Sequence, residues 1–456
     1  MTYAEAIEFL HRLRWFGAKL GLENTLRLAL RAGNPHHQLR FIHVAGTNGK
    51  GSTCAMLESI YRAAGLRVGM FTSPHLVSFR ERLQINRELI SEAEVVRLVG
   101  RMQPWLGGFA ADHHPTFFEA VTVMALKYFA EQRCDLVIWE TGLGGRLDAT
   151  NIVAPLASVI TNVQFDHQKW LGSTLPQIAM EKAGIIKPGV PVITGAEEPQ
   201  ALAVIQETAI QRRSPLTLVT PAHTQHPPLD ALRLPLLGWH QRMNAAVALA
   251  TVRALAAQLA VSEEALRTGL GRVNWPGRLQ LVERTTHGGT GFQPASSSTS
   301  GQVSTDRTGR MAVPLRQQIL LDAAHNAAGA TTLRAALEEH FPGSRPVLLL
   351  GIMQDKDWDL MCEILAPLAG RILCVAVSSE RSADPAQLRE ACRRTNPEVK
   401  VAVCQTLSEA LAQTEAEPFV VIAGSIYLIG EAIERLHLTV NSAADEKALN
   451  DWGARR

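Results

Sequence analysis

The sequence predicts an α/β fold of two domains, each built on a parallel sheet with helices on both faces. Three observations carry that expectation. The chain has 456 residues, too many for one ordinary hydrophobic core. Short β-branched apolar runs alternate with longer segments of helical period, and near-continuous apolar strands separated by helices belong in sheets covered on both sides. The alternation also stops and restarts near residue 275, which divides the chain at 1–275 and 276–456.

In chain order, RFIHVA (40–45), RVGMFT (67–72), CDLVIWET (134–141), LASVITNV (156–163) and VPVITG (190–195) read as strands of the first domain. FFEAVTVMALKYFAEQR (117–133) and the Ala-rich HQRMNAAVALATVRALAAQLA (240–260) read as helices. The joint falls near Trp275–Pro276–Gly277. Strands of the second domain follow at QQILLD (317–322), PVLLLGI (346–352), RILCVAV (371–377), VKVAVC (399–404) and FVVIAG (419–424), with a helical segment after each. Residues 285–309 are poor in apolar side chains and rich in Ser, Thr and Gly. Such a stretch cannot bury enough surface to order itself, so it is expected as a disordered insertion in the second domain.

A composition of 46% hydrophobic and 19% charged residues describes a soluble globular protein. No apolar run approaches the ~18 residues of a membrane span. The opening MTYAEAIEFLHRLRW mixes charge into every turn, unlike a secretory signal. Net charge is +2 with Lys and Arg scattered, which offers no basic face to nucleic acid. Cys54, Cys134, Cys362, Cys374, Cys392 and Cys404 form no CxxC pair or metal-ligand spacing and are expected as reduced, buried small hydrophobes. The expectation from these bulk properties is a cytoplasmic enzyme without a nucleic-acid or membrane partner.

Residues 44–53, VAGTNGKGST, carry the sharpest local signal. A Walker loop has four residues between its first Gly and the Gly-Lys pair, with Ser or Thr straight after the Lys. Here Gly46 precedes Gly49-Lys50 by two residues, and Gly51 separates Lys50 from Ser52. The context is still strand, Gly-rich turn and helix start, which aims backbone N–H groups and the positive helix end at one spot. Gly46, Thr47, Asn48, Gly49, Lys50, Gly51 and Ser52 therefore form a candidate phosphate loop. Lys50 can reach the outer phosphates, and the Ser52 hydroxyl can bind Mg²⁺. A bare glycine turn is the plain alternative, and the Lys and hydroxyls argue against it.

GTNGKGS resembles the ATP loop of the Mur ligase superfamily. Nine further segments, in order, resemble its folate branch, the folylpolyglutamate and dihydrofolate synthases: FTSPHL (71–76), ETGLGGRLDATN (140–151), FDHQKWLG (165–172), EKAGIIKPG (181–189), GWHQRMNA (238–245), WPGR (275–278), LDAAHN (321–326), GIMQDKD (351–357) and AGSIYLIGE (423–431). The likeness covers nearly the whole chain. It departs at Ala323 and Ala327, where the family shows Gly and Pro, and in the length of 285–309. The resemblance implies a P-loop-type parallel-sheet ATPase domain followed by a smaller Rossmann-like domain. It also implies an ATP-dependent ligase that adds L-glutamate to dihydropteroate, or to the γ-carboxyl of folates, through an acyl phosphate.

The same resemblance implies a site. Phosphoryl transfer rests on positioning and charge neutralisation. Two Mg²⁺ ions are implied, one near Ser52, Ser73 and Glu140, the other near Glu140 and His167. Glu140 falls at the end of a strand, the edge where open parallel sheets bind ligands. His167 is an unusual partner for Mg²⁺ because imidazole suits softer metals; a hydrogen-bonding core histidine is its alternative. Lys182 matches the family's carbamylated lysine (N6-carboxylysine), in which a cation becomes an oxygen ligand; an ordinary lysine bound to phosphate or paired with Glu181 is the alternative. Asn244, Arg278, Asp322 and His325 match nucleotide contacts, with Asp322 at the ribose, Arg278 and His325 at the phosphates, and ATP expected between the domains. Leu20-Gly21-Leu22, Thr116-Phe117-Phe118 and Leu147-Asp148-Ala149 match segments lining the pterin pocket, although Phe117 and Phe118 also suit helix packing. Lys50, Glu140, His167, Lys182 and His325 are the catalytic candidates.

Two rival readings are weaker. A cell-wall ligase acting on a UDP-linked muramoyl substrate needs a domain ahead of the ATP loop, and about 40 residues precede it against the ~100 of a domain. A P-loop NTPase acting as a binding switch without ligation should show a standard Walker loop and a basic face, and the sequence shows neither.

Overall fold

The computed structural model describes residues 1–17, 20–110, 113–286, 315–439 and 446–451. They fall into two compact units. The first holds Met1–Trp275 and also the described end of the chain, 446–451, while the second begins at Pro276. The two units divide between Trp275 and Pro276. The end of the chain does not stay with the second unit as expected, because its polar side chains bond to the first.

Strands β1 (Phe41–Ala45), β2 (Val68–Phe71), β3 (Leu83–Ile85), β4 (Glu88–Leu89), β5 (Leu136–Glu140), β6 (Ala157–Ile160), β7 (Val192–Thr194) and β8 (Leu216–Leu218) form the first sheet, in the order β4-β3-β2-β5-β1-β6-β7-β8. From β2 to β8 the pairing is parallel. β3 and β4 add an antiparallel edge, too short to show any period in the sequence.

Successive residues of the central strands serve opposite cores. Phe41, Phe71 and Trp139 join the cluster under helices Tyr3–Leu13, Glu92–Leu106 and Phe117–Glu131. Ile42, Met70 and Ile138 join the one under helices Lys50–Ala63, Trp239–Ala254 and Glu263–Gly271. Burial on both faces is why these strands read as continuous apolar runs. Trp139 packs its ring 4.5 Å from Phe71 and 5.6 Å from Phe41; truncating such a side chain costs roughly 3–5 kcal/mol.

In the second unit, β9 (Gln280–Thr286), β10 (Leu315–Asp322), β11 (Val347–Leu350), β12 (Arg371–Val375), β13 (Lys400–Cys404) and β14 (Phe419–Ala423) order as β13-β12-β11-β14-β10-β9. All neighbours are parallel except β9, which runs antiparallel to β10. Of the expected insertion, Thr285 and Thr286 are strand residues opposite Arg316 and Leu315; cross-strand pairing orders them despite their polar composition. Residues 287–309 lie outside the described residues. All six cysteines are buried free thiols. Among the described residues no helix is long and apolar enough to cross a membrane.

Candidate active site

The C-terminal ends of β1, β2, β5 and β6 bring the predicted loops to one edge of the first sheet, at the point where strand order reverses about β1. After β1 the chain enters the Gly46–Gly49 turn, and Lys50, Gly51 and Ser52 open the helix that follows. A Cβ on Gly46, whose φ is 148°, would collide with the Thr161 hydroxyl, and one on Gly49, at φ 83°, would collide with the Asn244 side chain. Only glycine lets the loop pass so close to its neighbours. Residues just after β6 fasten it: the Thr47 N–H donates to the Asn162 carbonyl at 3.0 Å, the Asn48 N–H to Asn162 Oδ1 at 2.8 Å, and the Thr161 hydroxyl to the Asn48 carbonyl at 2.6 Å. Helix Lys50–Ala63 begins directly at Gly49, so its positive end faces this turn.

Two lysines converge on the loop. Lys50 Nζ donates to the carbonyls of Gly46 and Thr47 at 3.2 and 3.3 Å, and Lys182 Nζ donates to the same Gly46 carbonyl at 2.9 Å. Burial, and then the neighbouring Lys50 charge, pull the Lys182 ammonium down from 10.5 to about 7. The alternative pairing of Lys182 with Glu181 is not formed. Glu181 instead holds Arg146 at 2.7 Å, and its carbonyl accepts the Arg146 N–H, which packs the 142–146 glycine turn onto the end of helix Leu175–Ala183.

Glu140 ends β5 in register with Val44, two residues before Gly46. It is buried, and its Oε2 accepts the Ser73 N–H at 2.9 Å. Burial and the Glu140 charge hold the Cys54 thiol well up while Lys50 works against them, so both charges reach the first turns of the helix. Ser52 is buried there as well. His167, at φ 51°, caps the short helix Gln168–Leu171; its N–H donates to Asp166 Oδ1 at 2.8 Å and its Nε2 lies 3.8 Å from Asp166 Oδ2. Among the described residues no three His, Cys, Asp or Glu form a ready metal cage. A carboxylate with serine oxygens suits a hard ion that keeps its waters, and the His167 imidazole suits it poorly.

Two of the three segments matched to a pterin pocket meet directly, the Gly21 N–H donating to the Leu147 carbonyl at 3.2 Å, while the Phe118 ring of the third fills the space a side chain at Gly142 would need. Leu20 is exposed, Gly21 and Leu22 are half-buried, and Ala149 is buried. Other members serve local structure. Thr116 caps helix Phe117–Glu131 in a capping box with Glu119. Phe117 is a core residue beneath the Arg82 guanidinium, 5.4 Å from its ring. The Asp148 carboxylate accepts the N–H groups of Leu143 and Thr150 at 2.7 and 3.0 Å, and burial holds its pKa up in spite of them.

In the second unit, Asp322 ends β10, and its two oxygens accept the N–H groups of Leu279 and Ala324 at 2.8 and 2.9 Å. Burial raises its pKa and the Arg278 charge opposes that. The Ala323 N–H donates to the Gly277 carbonyl at 3.0 Å, and His325 Nδ1 lies 2.9 Å from the Ala323 carbonyl, so Arg278, Asp322 and His325 gather at one end of this sheet. Asn326 caps helix Ala327–His340, and Ala327 fills the first helical position, where Pro and Ala are both tolerated. Sequence reasoning missed Thr161 and Asn162, whose only signal is a polar pair straight after a strand.

Residues 44–252 match the Mur ligase middle domain and residues 309–426 the Mur ligase glutamate ligase domain. The dihydrofolate synthase/folylpolyglutamate synthase of Bacillus subtilis is 33% identical, over 95% of this chain and 99% of its own. Its counterpart in Escherichia coli is 32% identical over 94% of each chain. Among solved structures, folylpolyglutamate synthase from Thermotoga maritima is 33% identical with a TM-score of 0.75, covering 95% of this chain and 96% of that one. E. coli FolC in complex with DHPP and ADP is 29% identical with a TM-score of 0.77, covering 96% and 98%.

Proposed function

The chain belongs to the Mur ligase family, in the branch of the dihydrofolate synthase/folylpolyglutamate synthases, and on that premise we propose that it joins L-glutamate to dihydropteroate, to folates, or to both, at the expense of ATP. The observation that carries this reading is the convergence of Lys50 and Lys182 on the Gly46 carbonyl, beside a buried Glu140 at the ligand-binding edge of the sheet. The γ-phosphoryl group of ATP passes to the substrate carboxylate, giving ADP and an acyl phosphate. The glutamate amine then attacks the acyl carbon, and phosphate leaves. Backbone N–H groups of Gly46–Ser52 and the Lys50 ammonium hold the phosphates, with Asn244 against the same loop. The B. subtilis and E. coli relatives, both dihydrofolate synthase/folylpolyglutamate synthases, favour ligation over a binding switch.

Ser52, Ser73 and Glu140 would hold Mg²⁺, with His167 a poorer donor, and a bound ion there supplies neutralisation of phosphate charge. Lys182 is proposed as a carbamate. An ammonium drawn down to about 7 leaves neutral amine near physiological pH, and that amine adds to CO₂ with release of one proton. Leu20, Gly21, Leu22, Phe118 and Leu147 are proposed to line the pterin pocket, with Thr116, Phe117, Asp148 and Ala149 shaping it from behind. Arg278, Asp322 and His325 stay as proposed nucleotide contacts of the second unit. A cytoplasmic monomer without nucleic-acid or membrane partners is the companion proposal, supported by the near-neutral, scattered charge.

Supplying dihydropteroate and tetrahydrofolate separately, with ATP and labelled glutamate, tests the reading. Label should enter one or both pterins with matching ADP release. ADP formation that ignores both pterin and glutamate, with no label incorporated, would sink it.

A further inference from the structure

Residues 446–451 pack against the turn that follows β2 and carries Ser73. Three side chains there close a ring. Arg82 Nε donates to His75 Nδ1 at 2.9 Å, Arg82 Nη2 donates to Asn450 Oδ1 at 2.6 Å, and Asn450 Nδ2 donates to the His75 carbonyl at 2.9 Å. A guanidinium only donates, so His75 Nδ1 accepts and its Nε2 carries the hydrogen. That Nε2–H meets the Glu446 carbonyl at 2.9 Å. The Glu446 carboxylate accepts the Ser78 hydroxyl at 2.9 Å and the Phe79 N–H. His75, Arg82, Glu446 and Asn450 are all buried.

The ring grips a turn anchored on both sides. Upstream, the Ser73 N–H is bound to Glu140. Downstream, the N–H groups of Leu76, Val77 and Ser78 are bound to the Glu81 carboxylate at 2.7, 2.8 and 2.8 Å. His75 stands between the two anchors, and the end of the chain holds both its ring and its carbonyl. The one apolar side chain these described residues add to the core cluster is Leu449, so the segment acts mainly through polar bonds.

We propose that Asn450 and Glu446 are positioning residues for the reaction: through His75 and Arg82 they fix the Ser73–Pro74–His75 turn, and so the amide that orients Glu140. The inference rests on the placement of Ser73 and Glu140 at the metal–phosphate site. Partners that orient metal ligands typically cost 10–100-fold when removed.

Asn450→Ala removes two bonds of the ring, and Ser78→Ala removes one bond to the Glu446 carboxylate as a milder change. Three quantities are measured for each: melting temperature, ligation kinetics, and the Mg²⁺ concentration that half-saturates binding of a non-hydrolysable ATP analogue in calorimetry. Asn450→Ala should lower kcat by about tenfold, leave KM for ATP within about twofold, and raise the Mg²⁺ midpoint by about tenfold. Ser78→Ala should move kcat and the midpoint the same way by less, and it decides the matter if Asn450→Ala does not fold. Lower melting temperatures with kcat and Mg²⁺ midpoint unchanged would reduce the segment to a structural clasp and overturn the proposal. A parent protein whose analogue binding ignores Mg²⁺ overturns it too. If the parent binds the analogue with Mg²⁺ but ligates no pterin, the functional reading fails while the Mg²⁺ titration still judges the positioning role.

Discussion

Lys50 and Lys182 share the Gly46 carbonyl, yet different chemistry is expected of them. Lys50 lies on the proposed phosphate loop, and Lys50→Ala should abolish ligation while leaving the circular dichroism spectrum intact. Glu140→Ala should do the same, since each removes several kcal/mol of transition-state stabilisation. Near-normal turnover in either variant would remove that residue from the site. Lys182 titrates at about 7 in the folded chain against an ordinary 10.5. Between those values the unfolded chain binds the extra proton, so stability rises with pH across that window, and the cost of burying an ammonium is fully present below about 7. The carbamate follows the same axis. With ¹³C-bicarbonate, a carbamate resonance should grow as pH rises through about 7 and be missing in Lys182→Arg. A resonance that appears only near pH 10, or not at all, would return Lys182 to an unmodified lysine.

At the scale of elements, the proposed phosphate loop depends on the turn after β6 as much as on its own glycines. Asn162→Ala removes the acceptor for the Asn48 N–H. A lost hydrogen bond of this kind costs about 1–3 kcal/mol where a donor is left unsatisfied, so KM for ATP should rise roughly tenfold and the melting temperature should fall by a few degrees. An unchanged KM would show that the loop keeps its shape alone. The strand, turn and helix around Lys50 were legible because they are contiguous, and each signal lies within a few residues of the next. The Asn162 contact joins segments more than a hundred residues apart, and no local pattern reports it. The matches at Thr116 and Asp148 were legible as positions only. Their oxygens go to a helix cap and to loop N–H groups, which needs the folded backbone to be seen. β3 and β4 escaped notice for a simpler reason, since five residues in all cannot establish an alternation.

For the whole molecule, the division near Trp275 was readable because an apolar pattern restarted, whereas the return of residues 446–451 was not, because polar bonds hold them and Leu449 is the apolar side chain they bury. The length of the connection between β9 and β10 can be tested on the same footing. The two strands pair antiparallel from Gln280 opposite Leu321 to Thr286 opposite Leu315, so their register is fixed by cross-strand contacts. Replacing residues 287–314 with a short Gly-Ser link shortens the loop that this pairing closes. Closure entropy changes by only about 0.6 kcal/mol per halving of loop length, and in the direction of greater stability. The shortened protein should therefore unfold in urea within about 2 kcal/mol of the parent and ligate glutamate at the same rate. A loss of several kcal/mol would mean that 287–314 packs against the second unit. Full stability with ligation lost would mean that the segment brings a group to the reaction, and the site would then have to be extended to include it.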